Sequence, residues 1–169
     1  MDFNLVYLSL GSNVGDKLLN IQNAIHLISL MRCEIIRKSS IYITEPWGNI
    51  EQEEFLNQVI TIHTLYDPAY LLGILLNIES ELGRTRSKRN APRTIDIDIL
   101  FYNNLIVHQK NITLPHPRMH LRNFILIPMN EIAAELIHPV FNLSISELLQ
   151  NCSDKSFVKK LSRHEIKSK

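Results

Sequence analysis

RTRSKRNAPRTIDIDIL, residues 84–100, carries two signals in one stretch, and its second half decides the fold. There Ile95, Ile97 and Ile99 alternate with Asp96 and Asp98, a period of two that marks a β-strand with one apolar face. Successive strand side chains point to opposite faces, so the three isoleucines enter a core while both carboxylates emerge together, roughly 6.5–7 Å apart. Aspartate is depleted from strands, and two like charges on one face repel. A strand that keeps both is therefore suited to a shared cation. In the first half Arg84, Arg86, Lys88, Arg89 and Arg93 crowd together without an acid, and Asn90, Ala91 and Pro92 make the segment a loop. Carboxylates offer oxygen ligands to magnesium, and guanidiniums offer paired donors to phosphate. The pattern points to a magnesium–polyphosphate site, with a salt-bridged surface as the plainer alternative.

Working outward, Phe3–Leu10 is apolar and β-prone and ends at the turn residues Gly11, Ser12 and Asn13. Asp16 or Asn13 then caps a helix whose apolar residues recur at helical spacing as far as Met31. Cys33–Ile43 reads as a second strand that stops at Thr44-Glu45-Pro46-Trp47-Gly48. Phe55–Leu65 alternates as a third. Asp67 and Pro68 open a second helix in the preferred cap and first-turn arrangement, with Leu71, Leu72, Leu75, Leu76, Ile78 and Leu82 as its stripe and Gly83 at its end. The Asp96/Asp98 strand follows. The order β-α-β-β-α-β is the ferredoxin-like, split-βαβ pattern of an α+β protein: an antiparallel sheet with both helices on one face and the other face left for a ligand. Beyond it come a turn at Tyr102–Asn104, a short hairpin strand at Leu105–Val107, and an extended loop at Pro115-His116-Pro117. A helix from about Leu121 to Ala134 follows, interrupted by Pro128, and Leu143–Leu149 suggests a last short helix. Residues 1–150 are expected to form one catalytic domain. Residues 151–169, with six Lys or Arg against two acids, are expected to form a loosely held tail.

A chain of 169 residues that is 45% hydrophobic suffices for one domain with a proper core. Its net charge of +1 argues against a dedicated nucleic-acid binder. Cys33 and Cys152 are isolated and speak against a disulfide framework or a zinc site. Together with a start that lacks a basic flank or cleavage-like site, and with no apolar stretch of membrane-spanning length, they predict a cytoplasmic, soluble protein. The five glycines include no G-x-x-x-x-G-K-[ST] loop, so side chains must bind any phosphate.

Seven segments in order, YLSLGSN from Tyr7, TEPWGN from Thr44, FLNQV from Phe55, ELGRTR from Glu81, APRTIDIDIL from Ala91, LPHPRMHLRNFIL from Leu114 and EIAAEL from Glu131, resemble the 6-hydroxymethyl-7,8-dihydropterin pyrophosphokinases of the folate pathway. The resemblance runs from about residue 5 to 150, and the PRTIDIDIL and PHPRM…RNF segments are its specific signatures. It implies transfer of pyrophosphate from ATP to the hydroxymethyl group of the reduced pterin, with release of AMP. Asp96 and Asp98 would hold two magnesium ions. Arg84 and Arg93 would meet the phosphates as the loop closes, Arg86, His116 and Arg122 would contact ATP, and Thr113 would lie near the adenine end. Phe124 and one of Trp47 or Phe55 would stack on the pterin. Asn57 and the backbone from Thr44 through Pro46 to Trp47 would meet its hydrogen-bonding edge. Glu79 matches a position near the nucleotide in relatives, although a surface glutamate also accounts for it.

The chain departs from the family in two places. Asn90-Ala91 stands where members often carry Trp-Gly, which removes an aromatic lid, and Phe55 stands where many carry tyrosine. ATP and the pterin are the expected partners, with no nucleic acid and no membrane, and a monomer is expected. Two other classes share parts of the pattern. One is a ferredoxin-like nucleotide- or RNA-binding module without catalysis. The other is a two-metal nucleotidyltransferase, which would release pyrophosphate instead of AMP.

Overall fold

The structure, a computed structural model, describes residues 3–46, 52–84, 91–162 and 165. Trp47, Arg86, Lys88, Arg89 and Asn90 lie outside these residues. The sheet is built from β1 (Asn4–Ser12), β2 (Glu34–Lys38), β3 (Tyr42–Thr44), β4 (Phe55–Thr64) and β5 (Asp96–Tyr102). Helix α1 (Lys17–Leu30) separates β1 from β2, and α2 (Pro68–Glu81) separates β4 from β5. The strand order begins β5-β1-β4-β3, β2 also pairs with β4, and these pairings are antiparallel. This is the ferredoxin-like α+β arrangement that the alternation predicts.

The helix boundaries follow their local chemistry. Asp16 accepts a hydrogen bond from the Leu19 N–H at the start of α1, and Asp67 accepts from Ala69 and Tyr70 at the start of α2, with Pro68 in its first turn. After α2 the chain turns through Gly83 at φ +82°, a left-handed conformation that side chains with a Cβ disfavour. Ile21, Ala24, Ile25 and Ile28 of α1 and Leu71, Leu75 and Ile78 of α2 are buried against Val6, Leu8 and Leu10 of β1 and against Ile95, Ile97 and Ile99. All three isoleucines of the opening stretch do enter one core.

Four expectations need correction. Cys33–Ile43 is two strands instead of one, because the backbone leaves the ladder at Ser39. There the Ser39 hydroxyl accepts from Val59 N–H at 3.0 Å and its carbonyl accepts from the Gln58 side chain at 2.6 Å, so side-chain groups replace regular pairing. The short hairpin strands fall at β6 (Val107–His108) and β7 (Thr113–Leu114), two residues later than alternation suggests. Pro128 does not interrupt α3 (Asn123–Ala133): the helix runs through it, and Pro128 faces the core. Residues beyond 150 are not loose in their described part. β8 (Val158–Lys160) adds to the sheet alongside β3, and Cys152 and Leu161 are buried.

The sheet's second face is also only partly open. Helices α3 and α4 (Ile145–Gln150) bury Ile125, Leu126, Met129, Ile132, Ile145 and Leu148 over Val59, Leu100 and Phe101. A bulge makes this possible. Leu8 pairs with Ile99 and Tyr7 with Phe101, so Leu100 is an extra residue that shifts the side-chain alternation within β5. Upstream of the bulge, this face carries Asp96 and Asp98.

Candidate active site

Register places the acids. Asp96 lies across from Gly11 and Asp98 from Ser9 on β1, while Gly11 in turn lies across from Asn57 on β4. Asp96, Gly11 and Asn57 therefore form one row across three strands, with Phe55 and Thr44 paired at its far side. Gly11 is tightly constrained: a Cβ there would stand 2.7 Å from Asn57 Oδ1 and 3.8 Å from the Phe55 ring. Asn57 is buried, and its amide nitrogen donates to Thr44 Oγ1 at 2.7 Å, so its carbonyl oxygen is the end turned towards Gly11.

The arginine loop returns to the same spot. Arg84 Nη1 lies 2.6 Å from Asp96 Oδ1, and Arg93 Nη1 lies 2.6 Å from Asp96 Oδ2, so each carboxylate oxygen holds one guanidinium. Arg84 also binds Glu79 Oε1, which accepts the Ile97 N–H at 2.7 Å. Glu79 is no surface residue: at 2% exposure it is a buried carboxylate joining the end of α2 to β5, and burial pushes its pKa up. Its Oε2 has no hydrogen-bond partner among the described residues.

Asp98 is pushed up to about 7, first by burial and then by the negative charge of Asp96, with Arg122 opposing. His116 is pulled down to about 4 by burial and by Arg122 and Arg118, so it is a neutral imidazole at physiological pH. Its N–H backbone group donates to Leu100 O at 2.9 Å, which holds the Pro115–Pro117 loop on β5.

Two aromatic rings flank this polar centre. The Arg93 guanidinium carbon lies 5.9 Å from the centroid of Phe55, and that of Arg122 lies 5.6 Å from the centroid of Phe124. Phe124 is partly buried at the start of α3. The family model described as 7,8-dihydro-6-hydroxymethylpterin-pyrophosphokinase (HPPK) matches residues 7–134.

The chain belongs to the HPPK family.

Individual relatives agree. The 2-amino-4-hydroxy-6-hydroxymethyldihydropteridine pyrophosphokinase of Methylorubrum extorquens is 42% identical over 132 residues, covering 78% of this chain and 84% of that protein. Its counterpart in Haemophilus influenzae is 37% identical and covers 90% of this chain and 96% of its own length. The folic acid synthesis protein FOL1 of Dictyostelium discoideum is 38% identical over 88% of this chain, which spans 22% of that longer protein. In the solved Plasmodium falciparum HPPK-DHPS A437G structure with SDX-DHP, the likeness has a TM-score of 0.73 at 19% identity, covering 89% of this chain and 45% of that one. HPPK membership sets aside the RNA-binding and nucleotidyltransferase alternatives.

Of the residues singled out from sequence, Glu79, Arg84, Arg93, Asp96, Asp98, His116 and Arg122 interact in one electrostatic cluster. Thr44, Phe55 and Asn57 form the neighbouring rim, and Phe124 stands beside Arg122. Pro46 is half-buried and follows β3 closely. Thr113, on β7, pairs with His108 on β6, and no hydrogen bond or ion pair among the described residues joins it to the acids. Trp47 and Arg86 lie outside the described residues.

Sequence reading misses two residues at this site. Gly11 reads from sequence only as a turn residue. Asn13 reads from sequence as a turn residue or a helix cap, yet it is 2% exposed and ties two loops together. Its Oδ1 accepts from Arg93 N–H at 2.8 Å, its own N–H donates to Arg93 O at 3.2 Å, and its amide donates to Gln52 Oε1 at 3.2 Å. The available signal was the run of small residues Gly11, Ser12 and Asn13 at the end of an apolar strand, all three of which are buried.

Proposed function

We propose that this chain transfers pyrophosphate from ATP to the hydroxymethyl group of 6-hydroxymethyl-7,8-dihydropterin and releases AMP. The observation that carries the reading is the meeting of Asp96 and Asp98 with Arg84, Arg93 and Arg122 beside the Gly11–Asn57 row and the Thr44 hydroxyl bonded to Asn57. In the reaction the substrate hydroxyl oxygen bonds to the β-phosphorus and its proton leaves. The bond from that phosphorus to the α–β bridging oxygen breaks, and the bridging oxygen departs with AMP.

The residues present fit magnesium. Asp96 and Asp98 are hard oxygen donors, and no cluster of three or more His, Cys, Asp or Glu able to hold a metal occurs among the described residues. Such a site suits an ion that takes its other ligands from phosphate and water. Two bound magnesium ions would neutralise the polyphosphate and acidify the attacking hydroxyl.

The protein's own groups do the rest. Arg84 and Arg93, now held by Asp96, are placed to exchange that carboxylate for phosphate oxygens, which binds the nucleotide and frees Asp96 for its cation. Neutral His116 can donate or accept a hydrogen bond without adding charge. Phe124 and Phe55 supply flat apolar walls for the pterin ring, Gly11 keeps its plane clear, and Asn57 turns a carbonyl oxygen to its edge. Neither aspartate serves as a base. Free, buried Cys33 and Cys152 suit a reducing cytosol, and no described helix is long and apolar enough to cross a membrane.

The deciding assay incubates the chain with ATP and magnesium, with and without the reduced hydroxymethylpterin, and identifies the nucleotide released. Pterin-dependent AMP is expected. ADP, free pyrophosphate as the co-product, or turnover indifferent to the pterin would overturn the reading.

A further inference from the structure

Residues 152–161 lie beyond the family match at 7–134, yet they touch both walls of the site. On one wall, Asp154 Oδ2 accepts the backbone N–H of Asn123 at 3.0 Å, and the Asn123 side chain donates to Ser156 O at 2.7 Å. Asn123 is the first residue of α3, between Arg122 and Phe124. On the other wall, Phe157 N–H donates to Glu45 Oε2 at 3.1 Å, and Val158 pairs with Thr44 in the β3–β8 register. Leu161 N–H donates to Ile41 O at 2.8 Å and closes the strap.

The N-cap position of α3, Arg122, makes no side-chain capping bond. A helix start needs acceptors for its first N–H groups, and a carboxylate there also meets the positive end of the helix dipole. Asp154 fills this role from 31 residues downstream. Its geometry is itself fixed, because Oδ1 accepts from both Ser156 N–H at 3.0 Å and Ser156 Oγ at 2.5 Å. A local Ser or Asp would have stabilised the helix equally well. A cap carried by the strap does something more, since it ties the helix bearing Phe124 to the strand bearing Thr44.

We propose that Asp154 is a positioning residue for the pterin: by capping α3 from the strap along β3, it sets the gap between Phe124 and the Thr44–Asn57 edge. The inference rests on the pterin reading of the site above. Arg84 and Arg93 are held by Asp96, and Arg122 is the nucleotide-side residue that adjoins Asn123, so the strap bears on the nucleotide less than on the pterin.

The test compares the full wild-type chain with Asp154→Ala and Asp154→Asn. Affinity for 6-hydroxymethylpterin is read from pterin fluorescence with saturating magnesium and a non-hydrolysable ATP analogue; affinity for the analogue and thermal stability are measured alongside. Asp154→Ala is expected to weaken pterin binding about fivefold or more while analogue affinity stays within about twofold. Asp154→Asn keeps an acceptor for Asn123 N–H and should restore most of the loss. Unchanged pterin affinity in folded Asp154→Ala, or equal weakening of both ligands, overturns the proposal. Should Asp154→Ala fail to fold, Ser156→Ala, which removes the hydroxyl bond to the carboxylate and keeps the backbone one, should weaken the pterin more than the analogue, and wild-type affinity in it would be equally fatal. A wild-type chain that binds the analogue but no pterin removes the substrate reading, and this inference falls with it.

Discussion

Gly11 stands opposite Asp96 on one side and Asn57 on the other, at the one position in the row where a Cβ would collide with a buried amide. Gly11→Ala is expected to raise the KM for the pterin about tenfold or more, with a smaller change for ATP, since an inserted methyl in a tight site costs about 1–3 kcal/mol. Steady-state kinetics with each substrate varied in turn would check it. Asp96→Ala and Asp98→Ala should each lower kcat by roughly a thousandfold or more, about 4 kcal/mol of transition-state stabilisation. Tm is expected to hold or rise in Asp98→Ala, because its raised pKa shows that burying this carboxylate is unfavourable. The aspartates were legible because strand alternation against propensity is visible in letters. Gly11 and Asn13 were not, because their importance comes from register partners dozens of residues away, and a turn-forming Gly-Ser-Asn is an adequate local story. Glu79 could be singled out only by resemblance, and its burial was not legible, for a related reason: helix periodicity cannot tell that the end of α2 abuts β5.

Among the elements, the joint of α3, β3 and β8 depends on Glu131. Its carboxylate accepts from Ser40 N–H at 2.8 Å, Ser40 Oγ at 2.7 Å, Tyr42 OH at 2.9 Å and Lys160 Nζ at 2.9 Å. Burial alone would raise its pKa, but these donors win and hold it down at about 2. An unfolded glutamate titrates near the ordinary carboxylate range, so between the two values the unfolded chain binds more protons. Stability from Glu131 is therefore complete above about pH 4.5 and is lost as pH falls towards 2, about 1–2 kcal/mol after discounting for its partial exposure. Glu131→Gln should lower Tm by roughly 2–6 °C at pH 7 and flatten that acid limb, as thermal melts across the range would show. The two long helices could be read from stripe and caps. The break at Ser39 could not, because a serine hydroxyl replacing a ladder bond looks like any other polar strand residue. β8 was missed because Phe157-Val158 before Lys159-Lys160 gives too short an alternation to register.

For the molecule as a whole, the sheet is covered on both faces, with α1 and α2 on one and α3 and α4 on most of the other, and the last strand extends it beyond β3. Leu161, 4% exposed in the first core, ties the segment after 150 to the rest. Leu161→Ala is expected to cost about 2–4 kcal/mol and to lower Tm by roughly 4–15 °C in a single cooperative transition. A loose tail would leave the melt unchanged. The order of elements up to β5 was readable because each has its own period; the second layer was not, since it depends on the bulge at Leu100. The grip of Arg84 and Arg93 on Asp96 has a consequence for which species the site admits. A bare divalent ion would have to evict both guanidiniums and offer them nothing in exchange. A metal–nucleotide chelate brings the replacement anions along, so the apoprotein should ignore millimolar magnesium yet take up the chelate, a selectivity that calorimetric titration of each alone would reveal.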